Sequence, residues 1–461
     1  MLFCWSCGAP VKQNEENAVS NLDHVTEPKN DLNGQHGIKI TATESNKTAV
    51  TQSGENDGQP SAEMIHSNET KIHVEPSDKT SNATDEETSN HGHTVAYAES
   101  IETAGSASEQ QAAQQVAATS DRAHSHHAAN FSDQVKDTFL QATERINRMV
   151  GEEGQIDLNL RDVFSDIFKK HSKEEAEKLF ITGTELTTPK EKDISTSWPK
   201  PWLFARIFVV FAITYLLLSI SAYTFDNIYA IPGLIVIGSF AVPFSLLIFF
   251  WETNAPRNIS IYEIAKMFFI GGAASLVTTL ILYSVFPVGA ELTYGGAIVV
   301  GIVEEVGKLV IIAYFIYNQN SKYILNGLLI GAAIGAGFAA FESAGYAFAF
   351  GMFYGDSVMT EVIFLRAWLA IGTHTVWSAI AGAALVYVKG NKQLSSDTFV
   401  NAKFIQLFAI PVILHAVWDM PLYALHNFNL LFIILIVIAW IFIFTLMNAG
   451  LKQIGRLHRD A

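Results

Sequence analysis

The chain has 461 residues, 49% of them hydrophobic and 16% charged, with a formal net charge of −15 and two cysteines. Two cysteines three positions apart cannot frame a disulfide-rich secreted domain, and the acidic balance excludes a basic nucleic-acid-binding surface. The averages hide two unlike halves: residues 1–200 hold 33 Asp/Glu against 18 Lys/Arg, whereas residues 201–461 hold 12 of each.

The chain opens without a visible signal peptide, since Met1–Pro10 lacks a basic start and a long apolar run. Cys4-Trp5-Ser6-Cys7-Gly8 reads as one knuckle of a zinc ribbon over residues 1–10. Two thiolates at that spacing fill two of zinc's four tetrahedral positions, and the glycine allows the tight turn. The other two ligands are not present as cysteines, so Cys4 and Cys7 make a half site for structural zinc. It is completed by a second chain or a histidine such as His24, or it stays a reduced pair. Residues 11–130 are polar, with few large apolar groups to offset the entropy of ordering; they are expected to be a disordered cytoplasmic linker, with His124, His126 and His127 solvated. Helical spacing returns in residues 131–199. Phe131–Gly151 carries Val135, Phe139, Ile146 and Val150 on one stripe, and Leu160–Thr182 carries Phe164, Ile167 and Phe168 on another. These predict two short amphipathic helices, followed by Trp198-Pro199-Lys200-Pro201-Trp202 at the entry to the membrane.

From Ile207 onward the uncharged runs match a bilayer span, for which a helix needs about 20 apolar residues. Ile207–Phe225, Asn227–Trp251, Met267–Ala290 and Ala367–Val388 are free of Asp, Glu, Lys and Arg. Further spans are expected over about 293–317, 323–353, 404–426 and 428–450. The fold class is therefore an all-α membrane protein, a bundle of about eight transmembrane helices over residues 200–452. Positive residues collect on the cytoplasmic side of membranes. Lys and Arg gather before span 1, in the 2/3, 4/5 and 6/7 loops and after span 8, while the loops near Asp226, Glu291, Asp356 and Asn427 have none. This alternation predicts both termini in the cytoplasm. Arg366, a few residues inside span 6, is expected to snorkel to the outer edge rather than neutralise a carboxylate.

The neutral half places Glu304, Glu305 and Lys308 in span 4, Glu342 in span 5, His374 in span 6, and His415 and Asp419 in span 7. A charge at mid-membrane costs on the order of 2.5–3.5 kcal/mol on insertion scales, so such groups mark a functional site. Counted along alternating helices, Glu304, Glu342, His374 and His415 each lie about 11–12 residues, or roughly 16 Å, from the outer surface. Glu304 and Lys308 are i,i+4 and predict an ion pair, Glu305 projects to an adjacent face, and Asp419 is placed to orient His415. Gly327, Gly331 and Gly335 form a small-residue packing face. Imidazoles and carboxylates at one depth fit a hydrolase, with one glutamate activating water and the histidines binding a metal or stabilising an oxyanion. A proton-coupled transporter or non-enzymatic sensor is the alternative, although the paired repeats usual in transporters are not visible.

Three motifs occur in order: Glu304-Glu305-Val306-Gly307-Lys308 as EExxK, Phe338-Ala339-Ala340-Phe341-Glu342 as FxxxE, and His415-Ala416-Val417-Trp418-Asp419 as HxxxD, with His374 between the last two. Over residues 200–450 this resembles the PrsW family of bacterial intramembrane proteases, itself similar to the CAAX prenyl endopeptidase and bacteriocin-processing superfamily. The resemblance implies a multi-pass protease of the bacterial plasma membrane that cleaves a membrane-anchored protein such as an anti-sigma factor. It makes Glu304 and Glu305 the catalytic pair, supported by Lys308 and Phe338. Glu342, His374 and His415 would supply a possible zinc site or position the water, and Asp419 would orient His415 or help hold the oxyanion. The absence of HExxH sets this chain apart from the common zinc proteases, and the CAAX relatives resemble metal-independent glutamate peptidases.

Overall fold

A computed structural model describes residues 2–3, 10–11 and 140–460, apart from 155, 157, 290–291 and 423–428. Most of the linker expected over 11–130 and the Cys4/Cys7 knuckle therefore lie outside the described residues. Flanking the knuckle in sequence, two short strands, β1 (Leu2–Phe3) and β2 (Pro10–Val11), pair antiparallel with Leu2 opposite Val11.

Residues 140–149 are helical. Beyond them Glu152 receives Arg456 at 2.7 Å, and Lys452 lies 3.6 Å away, both on the last helix. The helix expected over Leu160–Thr182 is instead two, Leu160–Val163 and Lys173–Phe180. Ser172 and Glu175 form a capping box that starts the second helix afresh, so the helical register does not run through. Phe164 packs near Phe249, with ring centroids 6.1 Å apart, whereas Phe168 is 95% exposed, against the expected stripe. Farther on, Glu191 accepts from Lys322 and from Tyr323 Oη, and the Lys322 contact holds its carboxyl below the usual range.

The membrane half is built from α1 (Leu203–Thr224), α2 (Ile231–Thr253), α3 (Ile261–Val285, with a π turn at Met267–Gly271), α4 (Tyr294–Gln319), α5 (Ile324–Tyr354), α6 (Asp356–Leu369), α7 (His374–Lys389), α8 (Ala402–Asp419) and α9 (Leu430–Asp460). Among the described residues seven segments are long and apolar enough to cross a membrane, with α6 and α7 counted together. The 26-residue α4 carries Glu304, Glu305 and Lys308 and completes a bundle of about eight.

α1 has no side-chain cap of its own. Buried Glu252, near the end of α2, supplies one: its Oε1 accepts from the backbone N–H groups of Trp202 and Leu203, and its Oε2 from Phe204, each at 2.9 Å. An anion at a helix N-terminus satisfies orphan donors and complements the dipole.

α5 is the central helix, buried nearly throughout, and α7 lies tight against it. The predicted small-residue face makes that approach. A Cβ on Gly331 would stand 2.0 Å from the Ser378 carbonyl oxygen, and one on Gly327 2.4 Å from that of Gly382. Because the obstacles are backbone atoms, no rotamer change could admit a side chain. This seam brings the first residue of α7, His374, against the Phe338 level of α5, with ring centroids 5.1 Å apart.

Candidate active site

α4 delivers the acidic pair to the bundle interior. Glu305 is buried and faces away from the cavity: its Oε1 accepts from Lys308 Nζ at 2.6 Å and from His415 Nδ1 at 2.8 Å. The lysine makes the expected i,i+4 ion pair with Glu304 at 3.9 Å, and a tighter one with its i,i+3 neighbour Glu305. Both spacings share a helix face, and the backbone pattern alone does not choose between them. Lys308 Nζ also donates to His374 Nδ1 at 3.0 Å and lies 4.6 Å over the Phe338 ring.

α5 supplies Glu342, whose Oε2 takes His374 Nε2 at 3.1 Å and Arg366 Nη2 at 2.5 Å. Arg366 does not snorkel. It turns inward from α6, donates through Nε to Ser343 Oγ at 3.0 Å, and stacks its guanidinium over Tyr346. A carboxylate partner within the protein is the better solvent for a cation that would otherwise face hydrocarbon. His374 also departs from expectation. It begins α7 instead of lying inside a longer helix, because a short turn at Ala370–Gly372 breaks the α6–α7 span. The positive end of the α7 dipole thus lies at the acidic cluster.

α8 contributes His415 and Asp419, both buried, with His415 Nε2 3.5 Å from Asp419 Oδ2. Trp377 of α7 stacks on the His415 ring at 4.6 Å and 30°.

The two imidazoles are arranged alike. Glu305 holds His415 by Nδ1 and Glu342 holds His374 by Nε2, which fixes each ring and directs the other nitrogen inward. Both inner nitrogens face Glu304 Oε2, at 3.6 Å from His415 Nε2 and 4.0 Å from His374 Nδ1. Glu304 Oε1 accepts from Tyr283 Oη at 3.0 Å, while Oε2 is buried without a hydrogen-bond partner among the described residues. Tyr283, Trp377 and the inward role of Arg366 were not identified from sequence. A tyrosine in an apolar run has no distinguishing spacing, and its partner lies 21 positions away.

Glu304, Glu342, His374, His415 and Asp419 line one cavity of about 710 Å³, with Tyr283, Phe338 and Arg366 on the same wall. Every membrane-embedded site residue singled out in the sequence is thus in or directly behind this cavity; Glu305 and Lys308 form its backing. The resemblance points to Glu342, His374 and His415 as metal ligands. The group whose donor atoms converge within 4.8 Å is Glu304, His374 and His415. Four carboxylates against the two cations Lys308 and Arg366 leave excess negative charge, and an imidazole lone pair facing two carboxylate oxygens is repulsive without a proton or cation between them. The donor set therefore fits a divalent ion, with two nitrogens and one carboxylate oxygen.

A buried carboxylate–imidazole centre facing a cavity in a helical multi-pass membrane protein has the groups that an intramembrane hydrolase needs. Residues 261–447, which hold all of these groups, match the family described as PrsW family intramembrane metalloprotease. The chain is 26% identical over 202 residues to Protease PrsW of Clostridioides difficile, covering 41% of this chain and 81% of that protein. It is 25% identical over 215 residues to Protease PrsW of Bacillus subtilis, covering 45% and 91%, and 24% identical over 204 residues to that of Halalkalibacterium halodurans, covering 43% and 88%. No solved structure matches. The matched segment is thus similar to the PrsW family of intramembrane proteases.

Proposed function

We propose that this protein is an endopeptidase that hydrolyses a peptide bond of a single-span or membrane-anchored protein, as in regulated proteolysis of an anti-sigma factor. The observation that carries the reading is the meeting of Glu304 Oε2 with the inner nitrogens of His374 and His415 on the cavity wall. Glu304 holds the attacking water on Oε2 and accepts its proton, with Tyr283 fixing the other oxygen. His415 keeps Nδ1–H on Glu305 and, when doubly protonated beside Asp419, donates from Nε2 to the oxyanion that forms as the carbonyl is attacked. His374 is held from behind by Glu342 and Arg366 and closes the other side of the water site. With the metal that the family description implies, Glu304, His374 and His415 would instead act as its ligands, and the ion would lower the pKa of a water and polarise the carbonyl in place of the base and donor roles of Glu304 and His415. The alternation of loop charge supports both termini in the cytoplasm and the site nearer the outer surface, and the bacterial relatives support a bacterial plasma membrane. Cys4 and Cys7 remain a proposed structural half site for zinc outside the catalytic segment.

The test is cleavage of a membrane-anchored substrate by the full-length protein in proteoliposomes. Glu304→Gln and His415→Ala should abolish product while the variants insert and purify as the parent does. Full cleavage by both would reject the assignment.

A further inference from the structure

Lys308 bears on how this centre could take an ion. Its side chain is wholly buried, and its ammonium is anchored on Glu305 Oε1 at 2.6 Å while donating to His374 Nδ1 at 3.0 Å. The other nitrogen, Nε2, is held by Glu342, itself paired with Arg366. Nδ1 is therefore the His374 nitrogen turned toward Glu304 Oε2 and the one a shared ion would need. A nitrogen lone pair cannot accept an N–H and coordinate a cation at once. A divalent ion about 2.0–2.1 Å from Nδ1 would also stand close to a like charge.

We propose that Lys308 is a built-in competitor for the metal. Its ammonium caps His374 Nδ1 in the metal-free protein and must leave that nitrogen, while keeping Glu305, before Glu304, His374 and His415 can close on a divalent cation. Metal binding and the Lys308–His374 contact are mutually exclusive. The same ammonium offsets part of the carboxylate charge when no ion is bound, so the cluster keeps its geometry in either state. This rests on the reading of Glu304, His374 and His415 as the ligand set.

The experiment is a titration of full-length protein in detergent with Zn²⁺ or Co²⁺ against a chromophoric chelator, on a Cys4→Ser/Cys7→Ser background so that the N-terminal thiolates do not contribute. Lys308→Met, which keeps the stem and removes the charge, should bind the ion at least about tenfold more tightly than the parent. The gain should vanish when His374→Ala is added, since the competition is for that ring. Unchanged or weaker binding in Lys308→Met, or a gain that persists without His374, overturns the proposal. If Lys308→Met does not fold, Lys308→Gln carries the same expectation and the same refutation. Cleavage is scored separately. A parent that cleaves substrate, with no metal gain on removing Lys308, rejects the competitor and leaves the protease reading standing; the converse pattern rejects the protease alone.

Discussion

Helices α1 and α5 are both long and apolar, yet in the apolar stretch of α1 6% of residues are buried and in that of α5 94%. α1 carries Leu, Ile, Val and Phe outward, with Val210, Leu216 and Leu217 more than half exposed. α5 carries Gly and Ala, and its neighbours press against its backbone. Lipid tails are as apolar as leucine, so hydrophobicity does not decide which helix lies inside; side-chain size does, because close approach supplies the packing that holds helices together in a bilayer. The ionisable residues follow that division. Glu304, Glu342, His374 and His415 lie on α4, α5, α7 and α8, whereas α1 carries a single Arg, Arg206, in its first turn, where it donates to the Lys169 carbonyl.

The division predicts that changes in the interior act on chemistry or assembly and changes on the rim do little. The largest effect belongs to Glu304→Gln, which removes the carboxylate facing both imidazoles and should lower kcat/KM by about 10²–10⁴; single-turnover cleavage measures it, and a loss below tenfold would detach the site from the reaction. Gly331→Val should prevent α7 from seating, since the new Cβ meets the Ser378 carbonyl. Overpacking of this kind costs about 1–3 kcal/mol where the neighbours can shift, and backbone atoms shift least. Yield and thermal unfolding in detergent should both fall, and a parent-like Tm would show the seam to be looser than the geometry implies. Glu252→Ala should cost about 1–3 kcal/mol, because it orphans three N–H groups at the start of α1. Activity should then fall no further than stability does, since Glu252 lies outside the cavity.

Much of this was legible in the sequence because the membrane restricts what a residue can mean. Long uncharged runs gave the helices, and the cost of a buried charge marked Glu304, Glu305, Glu342, His374, His415 and Asp419 as one site. What was not legible depended on distances between helices. That Lys308 pairs more tightly with Glu305 than with Glu304, and that Arg366 turns to Glu342 instead of the surface, is settled by partners on other helices. The break before His374 escaped because an apolar turn has the composition of an apolar helix. Ser172-x-x-Glu175 did carry a legible signal, and it divides the helix that the apolar stripe alone had joined.

The smallest effects separate support from chemistry most finely. Tyr283→Phe deletes one hydrogen bond to Glu304 Oε1 and no apolar contact. A bond to a charged acceptor contributes about 1.5 kcal/mol at its lower end, so kcat/KM should fall by about tenfold and stability by no more than about that amount. On the rim, Leu217→Ala removes a side chain 61% exposed on α1. Lipid fills the space it leaves, no cavity forms, and the change in stability should stay within about 0.5 kcal/mol. If Leu217→Ala instead costs as much as a core truncation, that face of α1 is covered by protein in the native membrane, and a second copy or the substrate's own span packs there. Cross-linking from a cysteine at position 217 distinguishes the two, because a second copy yields a symmetric dimer and a substrate yields a product only when substrate is present.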